Sequence, residues 1–109
     1  MELAMIGLGK MGLNMTTRLI GGGHRVVGYD RAAANVDEAK KIGAHGANSL
    51  KEAVSKLKAP RVVYVSCDAP TLARDVKRLV EAGYHLEHIE AFDLFPNTAH
   101  VETVAVFDL

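Results

Sequence analysis

The sequence has little cysteine, few aromatic residues and no net charge. Its 109 residues include one cysteine and no tryptophan, and 13 basic side chains are balanced by 13 acidic ones. One cysteine cannot form a disulfide within the chain, which is typical of a reducing compartment, so we expect a cytoplasmic protein. Because a neutral chain lacks the positive field of nucleic-acid-binding proteins, we expect no nucleic-acid partner.

The sequence also lacks a long apolar run near its start. The run at residues 3–6 ends at Gly7, which is too short for the core of a signal peptide or for a membrane span. We therefore expect no membrane partner. In solution we expect a monomer or a weakly associating homodimer.

The chain instead alternates apolar and amphipathic segments, separated by glycine, proline or polar residues. This alternation predicts strand–helix units, which build a parallel sheet with helices on both faces. The predicted strands are residues 2–7, 25–29, 44–47, 61–66, 84–92 and 101–107, and the predicted helices are residues 10–20, 33–42, a segment carrying Leu50, Val54 and Leu57, and 69–82. The last two strands should be antiparallel, because no crossover helix separates them.

Each predicted helix has an apolar stripe that should face the sheet. In chain order, the four stripes are Met11, Met15 and Leu19; Val36, Ala39 and Ile42; Leu50, Val54 and Leu57; and Leu72, Val76, Leu79 and Val80. Ser49 and Glu52 have the spacing of a capping box, and Asp68 is placed to cap the last helix.

A glycine-rich turn follows the first predicted strand and begins the first helix. Its sequence, Gly7-Leu8-Gly9-Lys10-Met11-Gly12, fits the pattern GxGxxG, and Asp30 ends the next strand 18 positions after Gly12. Gly7 permits the tight turn, Gly9 lets a pyrophosphate approach the backbone, and Gly12 allows close packing. The free N–H groups at the helix start attract the phosphates. We therefore predict a nicotinamide dinucleotide site at residues 7–12, Asp30 and Arg31.

Asp30 and Arg31 bear on the choice of cofactor. Asp30 would accept hydrogen bonds from the adenosine ribose and would repel a 2′-phosphate, so NAD is preferred. Arg31 keeps NADP as a lesser alternative, because a guanidinium could hold that phosphate or stack on adenine. The structural alternative for the whole motif is a glycine turn that only packs a helix.

The first part of the sequence resembles a known family. Residues 4–15 (AMIGLGKMGLNM) and 28–31 (GYDR) resemble the N-terminal cofactor domain of the 6-phosphogluconate dehydrogenases and their β-hydroxyacid dehydrogenase relatives. The resemblance extends over about residues 1–60. It implies a Rossmann half with NAD(P) lying across Gly7 to Gly12, and Asn14 points to the phosphogluconate branch. The family's substrate-binding and proton-transfer residues lie in later parts of longer chains, so none is assigned here.

The second part resembles a different family. Residues 63–75, 92–98 and 100–103 match, in order and spacing, the C-terminal end of the RNA 5-methyluridine methyltransferases. In that family a cysteine attacks the pyrimidine ring and a glutamate removes a proton from it, and the matching positions are Cys67 and Glu102. The family has Asn-Pro or Asp-Pro after that cysteine, whereas here Asp68-Ala69-Pro70 follows. The family's S-adenosylmethionine site belongs to the half that is replaced here, so we expect neither binding of that donor nor methylation.

The two resemblances predict a chimera within a single domain, dehydrogenase-like over residues 1–60 and methyltransferase-like over residues 61–109. We predict a three-layer, Rossmann-like, doubly wound and mostly parallel sheet, with strand order 3-2-1-4-6-5 and strand 6 antiparallel. The predicted function is that of an engineered or chimeric domain with a dinucleotide half-site and without complete catalytic machinery. The alternatives are a folded scaffold that binds no ligand, a fragment with residual oxidoreductase or methyltransferase activity, and a natural truncated protein.

The remaining polar residues show no further site. His85 and His88 are three apart in a predicted strand and should point to opposite faces, and His24, His45 and His100 lack ligand spacing, so we expect no metal site. We expect Lys10 and Arg18 to be solvated helix charges, Cys67 to be a packed side chain, and Glu102 to be a structural or solvated residue of the last strand.

Overall fold

The structure is a computed structural model that describes residues 2–56, 59–66, 68–92 and 102–109. Cys67 and Leu57 therefore lie outside the described residues. The order of strands and helices is the predicted one. In chain order the elements are β1 (Glu2–Ile6), α1 (Lys10–Gly21), β2 (Arg25–Tyr29), α2 (Ala33–Lys41), β3 (His45–Gly46), a π-helical segment (Glu52–Lys56), β4 (Arg61–Ser66), α3 (Ala69–Glu81), β5 (His85–Phe92) and β6 (Glu102–Asp108).

The six strands form one sheet in the order β3-β2-β1-β4-β6-β5. β1 lies between β2 and β4 and is parallel to both, with Met5 opposite Val63. β6 is antiparallel to both of its neighbours, β4 and β5. The predicted Rossmann-like topology is thus confirmed. Because the chain moves from one side of β1 to the other between β3 and β4, the carboxyl ends of β1 and β4 form the crevice where ligands bind in open α/β sheets.

Apolar side chains fill both faces of the sheet. Side chains alternate along each strand, so Ile6 and Tyr64 lie on one face and Met5 and Val63 on the other. The π-helical segment and α3 cover the first face, and α1 and α2 cover the second. Covered on both faces, β4 buries all of residues 62–65, as its continuous apolar run predicted.

On two helices, α1 and α3, the buried residues differ from those that were predicted. On α1 the buried positions are Gly12 and Thr16, whereas Met11, Met15 and Leu19 are only partly buried beside them. Gly12 has no side chain, so the helix backbone approaches the sheet there and the larger side chains lie at the edges of the contact.

On α3, Val80 was predicted to pack inward, but it is 54% exposed. Asp75 is buried in the stripe instead. Asp75 is three residues after Leu72 and four before Leu79, so the three side chains share one face of the helix. The face of α3 that packs on the sheet therefore includes a charged residue.

The two predicted caps are only partly present. The backbone N–H of Glu52 donates a hydrogen bond to Ser49 Oγ at 3.0 Å, which is one half of the predicted capping box. Asp68 occupies the N-cap position of α3 but makes no capping hydrogen bond to the backbone. Its carboxylate accepts a hydrogen bond from the Thr71 hydroxyl at 2.7 Å instead.

The two predicted halves share one hydrophobic core. Tyr84, just before β5, is 1% exposed and donates a hydrogen bond to the carbonyl oxygen of Ala59 at 2.6 Å. Phe107 in β6 is fully buried in the same cluster as Ala4 in β1. Described residues of the second half therefore complete a core cluster that includes residues of the first half.

A bulge in β5 changes the predicted orientation of its histidines. The pairing with β6 shifts by one residue between Leu86 and His88. His85 and His88 consequently lie opposite Asp108 and Val106, which are two apart on β6 and share a face. The prediction that the two histidines point to opposite faces is therefore wrong.

The described residues contain neither a cluster suited to a metal ion nor a membrane-spanning helix. Within the described ranges, no group of three His, Cys, Asp or Glu residues is placed to hold a metal ion. Among the helices of those ranges, none is both long and apolar enough to cross a bilayer.

An ion pair between Arg61 and Asp108 joins β4 to β6 and leads to a prediction. The guanidinium donates two hydrogen bonds, at 2.6 and 2.8 Å, which hold the pKa of Asp108 below its ordinary value. A carboxyl group with a lowered folded-state pKa stabilises the fold above its unfolded-state pKa, and this stabilisation disappears as the pH falls through the folded-state pKa. In urea denaturation, Asp108→Asn should lower the free energy of unfolding at about pH 7, by an amount that shrinks towards zero near about pH 2.

The control for this prediction is the exposed pair of Lys41 and Glu38 on α2, 3.1 Å apart. Exposed pairs of this kind contribute little, so Glu38→Gln should have almost no effect at either pH. A loss caused by Asp108→Asn that is equal at both pH values would contradict the assignment of the stabilisation to the carboxylate charge.

Candidate functional site

The glycine-rich turn lies at the carboxyl end of β1, next to the end of β4. Gly7 has a φ of 94°, a conformation that favours glycine. A Cβ atom on Gly7 would lie 2.1 Å from the carbonyl oxygen of Val65, and one on Gly12 would lie 1.9 Å from the carbonyl oxygen of Gly7. Neither position has room for a side chain, so the fold itself requires these two glycines.

Gly9 is different, because nothing lies within 4 Å of the position that its Cβ would occupy. It is the N-cap residue of α1, with an extended conformation that any residue can adopt. No side chain from the described part of the chain caps this helix end, and its first turn has no acidic residue. The positive end of α1 therefore faces open space, where an anion could reach the backbone at Gly9.

Asp30, at the end of β2, holds the glycine turn in place. Its Oδ2 accepts a hydrogen bond from the N–H of Leu8 at 2.7 Å, and its Oδ1 accepts one from the N–H of Ala32 at 2.8 Å. A carboxylate has about four lone-pair positions, so it can accept further hydrogen bonds from ribose hydroxyls. The sequence predicted Asp30 as a ligand contact but not its contact with the turn.

The other predicted site residues lie around the turn. Lys10 and Arg31 are exposed, Met11 is partly buried at the start of α1, and the Leu8 side chain is 1% exposed in the core. Leu8 can therefore contribute to the site only through its backbone. The structure thus brings residues 7–12, Asp30 and Arg31 to one edge of the sheet.

Of the two residues predicted from the methyltransferase resemblance, Glu102 is described by the structure and lies near the end of β4. Glu102 is the first residue of β6 and is partly buried. Because the next residue, Thr103, pairs with Ser66, Glu102 lies just beyond the carboxyl end of β4. Cys67 falls outside the described residues, so the structure does not relate it to Glu102.

A cavity of about 170 Å³ opens beside the glycine turn. Gly7, Asp30 and Arg31 line it from the first half, and Tyr64 and Asp75 line it from the second. The Tyr64 hydroxyl donates a hydrogen bond to Asp75 Oδ2. Burial and this hydrogen bond raise the pKa of Tyr64 above its ordinary value, so the hydroxyl keeps its proton and remains a donor.

The sequence did not predict Tyr64 or Asp75 as site residues, although it contained a signal for Asp75. Asp75 interrupts the apolar stripe of α3 between Leu72 and Leu79. Aspartate is rarely buried unless it is paired, so its position in the stripe pointed to a buried polar partner. Tyr64, which supplies the partner, could not be distinguished from the other apolar residues of β4.

A second cavity of about 170 Å³ lies on the other side of Asp30 and Arg31. Asp37 and Lys40 of α2 line it, together with Asn48. Both cavities therefore border the end of β2, one towards α3 and the other towards α2.

Two curated relatives match different but overlapping regions of the chain. The 23S rRNA (uracil(1939)-C(5))-methyltransferase RlmD of Pectobacterium atrosepticum is 50% identical over 62 residues, which are 57% of this chain and 14% of that protein. YqeC of Bacillus subtilis, a candidate 6-phosphogluconate dehydrogenase, is 43% identical over 86 residues, covering 76% of this chain and 29% of that protein. The resemblance to both families is thereby confirmed.

Solved structures that match this fold include a dehydrogenase and a reductive aminase. The 3-hydroxyisobutyrate dehydrogenase of Mycobacterium tuberculosis matches with a TM-score of 0.69 and 31% identity, over 74% of this chain and 27% of that one. A reductive aminase of Aspergillus terreus in complex with NADPH has a TM-score of 0.62 and 26% identity, over 70% of this chain and 26% of that one. This chain therefore spans less than a third of each of these relatives.

The family comparison covers most of the chain. The model of the NAD binding domain of 6-phosphogluconate dehydrogenase matches residues 2–90, which include the glycine turn, Asp30 and all of α3. The chain therefore belongs to the family of the NAD binding domain of 6-phosphogluconate dehydrogenase.

Proposed function

We propose that the chain is a nicotinamide dinucleotide-binding domain. Residues 7–12 would hold the pyrophosphate, and Asp30 would hold the adenosine ribose. The observation that carries the proposal is the space at Gly9: the fold leaves room for a side chain there, so the approach of a ligand explains the glycine better than packing does. The bound dinucleotide would supply hydride chemistry, and these residues would bind and orient it.

Asp30 favours NAD over NADP in this proposal. A carboxylate that accepts hydrogen bonds from ribose hydroxyls would repel a phosphate at the 2′ position. Arg31 is exposed beside it and could offset part of that repulsion. NADP is therefore expected to bind more weakly than NAD.

We also propose that the methyltransferase-like residues 61–109 complete the fold instead of supplying a second activity. Tyr84 and Phe107 are both buried in the core shared with the first half, which gives this segment a structural role. Glu102 is then a strand residue, and no catalytic role is assigned to it or to Cys67. This arrangement is what a chimera of the two families would produce.

The proposal predicts that calorimetric titration detects binding of NAD, weaker binding of NADP, and none to Gly9→Val. The Cβ of a valine there would meet nothing within 4 Å, and the side chain would occupy the space above the helix end. At an NAD concentration about a hundred times the Kd, the free energy of unfolding of the unchanged chain should also rise by about 2.7 kcal/mol.

Gly21→Val is the matched control. Gly21 ends α1, and a Cβ there also meets nothing within 4 Å, so this variant should bind NAD as the unchanged chain does. Unchanged affinity in Gly9→Val would contradict the placement of the pyrophosphate. No binding of millimolar NAD to the unchanged chain would contradict the proposal and favour a folded scaffold without a ligand.

A further inference from the structure

The two outer edges of the sheet differ in length. β3, at one edge, has only two residues, and so short a strand offers little for another chain to pair with. β5, at the other edge, has eight residues and contains no proline or lysine, which commonly protect an edge. Among the described residues, β5 pairs with β6 alone, so one row of its backbone N–H and C=O groups has no strand partner there. Such an edge can pair with a strand of another chain.

Exposed apolar side chains lie beside this edge on the face that α3 covers. Leu86 and Ile89 of β5 are 45% and 51% exposed, although their partners on β6 belong to the core cluster under α3. Val80 of α3 is 54% exposed. Ala82 borders a cavity with Val54 of the π-helical segment, and residues two apart lie on opposite sides of a helix. Val80 therefore lies on the side of α3 towards β5, and the three residues favour a contact surface there.

The other face of β5 carries polar residues that can set the register of a contact. His88 and Glu90 lie opposite Val106 and Val104, so they share this face, and both side chains are more than half exposed. A symmetric dimer uses the same surface on both copies, so in an antiparallel pair of β5 strands one residue lies opposite its own copy. With Ile89 at that centre, His88 of each copy lies opposite Glu90 of the other.

The two adjacent registers lack this complementarity. With Glu90 at the centre, two carboxylates would lie directly opposite each other, which is destabilising. With His88 at the centre, two histidines would meet, and Glu90 would lie opposite the apolar Leu86. The bulge between Leu86 and His88 also limits regular pairing to the residues that follow it. Of these three registers, the one centred on Ile89 alone joins acidic to basic side chains and apolar to apolar ones.

We propose that β5 pairs in antiparallel fashion with β5 of a second copy of this chain, with Ile89 at the two-fold axis and a His88–Glu90 contact on each side of it. A histidine ring N–H donates to a carboxylate whether the ring is neutral or charged. The two six-stranded sheets then form one continuous sheet. Because the regular pairing is short and the interface small, we expect a Kd of about 10–100 µM.

The proposal is independent of dinucleotide binding. The glycine turn lies at the carboxyl end of β1, and β4 and β6 separate that strand from β5. The dimer therefore leaves the crevice between β1 and β4 open, and failure of either proposal would not decide the other.

Sedimentation equilibrium of the full chain would measure the dimer. Between about 5 and 500 µM protein, we expect a change from mainly monomer to mainly dimer. His88→Glu and Glu90→Lys should each raise the Kd about tenfold or more, because each substitution alters two symmetry-related contacts. Both side chains are exposed, so both variants should fold, which circular dichroism checks.

An equimolar mixture of these two variants tests the register. In a mixed dimer, the new carboxylate at position 88 lies opposite the new ammonium group at position 90, and the remaining His88 lies opposite the remaining Glu90. The mixture should therefore associate about as tightly as the unchanged chain, although neither variant does so alone. An effect of the substitutions on folding alone would not produce recovery on mixing.

Glu38→Lys is the matched control. It makes the same charge change as Glu90→Lys at an exposed position of α2, which packs near β2 and β3 at the other end of the sheet, so the dimer should be unchanged. A chain that stays monomeric at about 500 µM would overturn the proposal. A dimer that survives both β5 substitutions, or that Glu38→Lys weakens equally, would place the contact elsewhere. Weakened variants that do not recover on mixing would refute the register.

Discussion

Gly7→Ala and Gly12→Ala should each lower the free energy of unfolding by about 3 kcal/mol or more, whereas Gly9→Ala should lower it by about 1 kcal/mol or less. A methyl group on Gly7 or Gly12 would lie 2.1 or 1.9 Å from a backbone carbonyl oxygen. Only a shift of the backbone itself can relieve such contacts, and at Gly7 the positive φ adds strain. Gly9 has neither problem, because its Cβ position is open.

Urea denaturation followed by circular dichroism measures the three losses on the same chain. The series separates the glycines that the fold requires from the one that we assign to the ligand, although all three belong to one motif. If Gly9→Ala destabilised the chain as much as Gly12→Ala does, the space at Gly9 would be filled in the folded protein, and the proposed pyrophosphate site would be wrong.

Phe107→Ala should lower the free energy of unfolding by about 3–5 kcal/mol, the range for large buried side chains. Phe107 is fully buried, lies opposite Val62, and belongs to the core cluster that includes Ala4 of β1 and Leu79 of α3. Its loss would leave a cavity between the last strand and the first half of the chain. Phe107→Leu keeps most of the volume and should have a smaller effect.

The matched controls are Ile89→Ala and Leu109→Ala, whose side chains are 51% and 60% exposed. Truncation at exposed positions should change the free energy of unfolding by about 0.5 kcal/mol or less. Denaturation of all the variants followed by two probes would measure the loss and test for a single transition. A loss in Phe107→Ala as small as in the controls would mean that β6 does not share the core of the first half.

The sequence predicted the fold well because most of the relevant signals are local. The glycine turn, the strand before it and the helix after it are contiguous in the chain, and the four-residue apolar run of β4 indicated a strand covered on both faces. No helix separates the last two strands. A parallel pair needs a long crossover connection, so these two strands were predicted to be antiparallel. These features together predict the order of the elements along the chain and the antiparallel last strand, whereas the strand order, which the structure confirms, was expected from the resemblance to the two families.

The sequence predicted side-chain placement less well wherever the packing partner is distant. The stripe of α1 was assigned to its methionines, but close contact at Gly12 buries Thr16 instead. The shared face of His85 and His88 depends on a bulge formed by pairing with β6. Neither feature follows from residue spacing, because spacing alone assumes regular elements.

The candidate site also combines features that the local sequence predicts with features that depend on distant contacts. By itself, the sequence determined the order of the elements and the position of the glycine turn and Asp30, because regular secondary structure and short-range spacing decide them. Only the tertiary structure decided that Gly9 faces open space while Gly7 and Gly12 do not, and that Asp75 and Tyr64 line the cavity beside Asp30. These contacts join parts of the chain that are far apart in sequence, and only the packing of α1 and α3 on the sheet determines their distances.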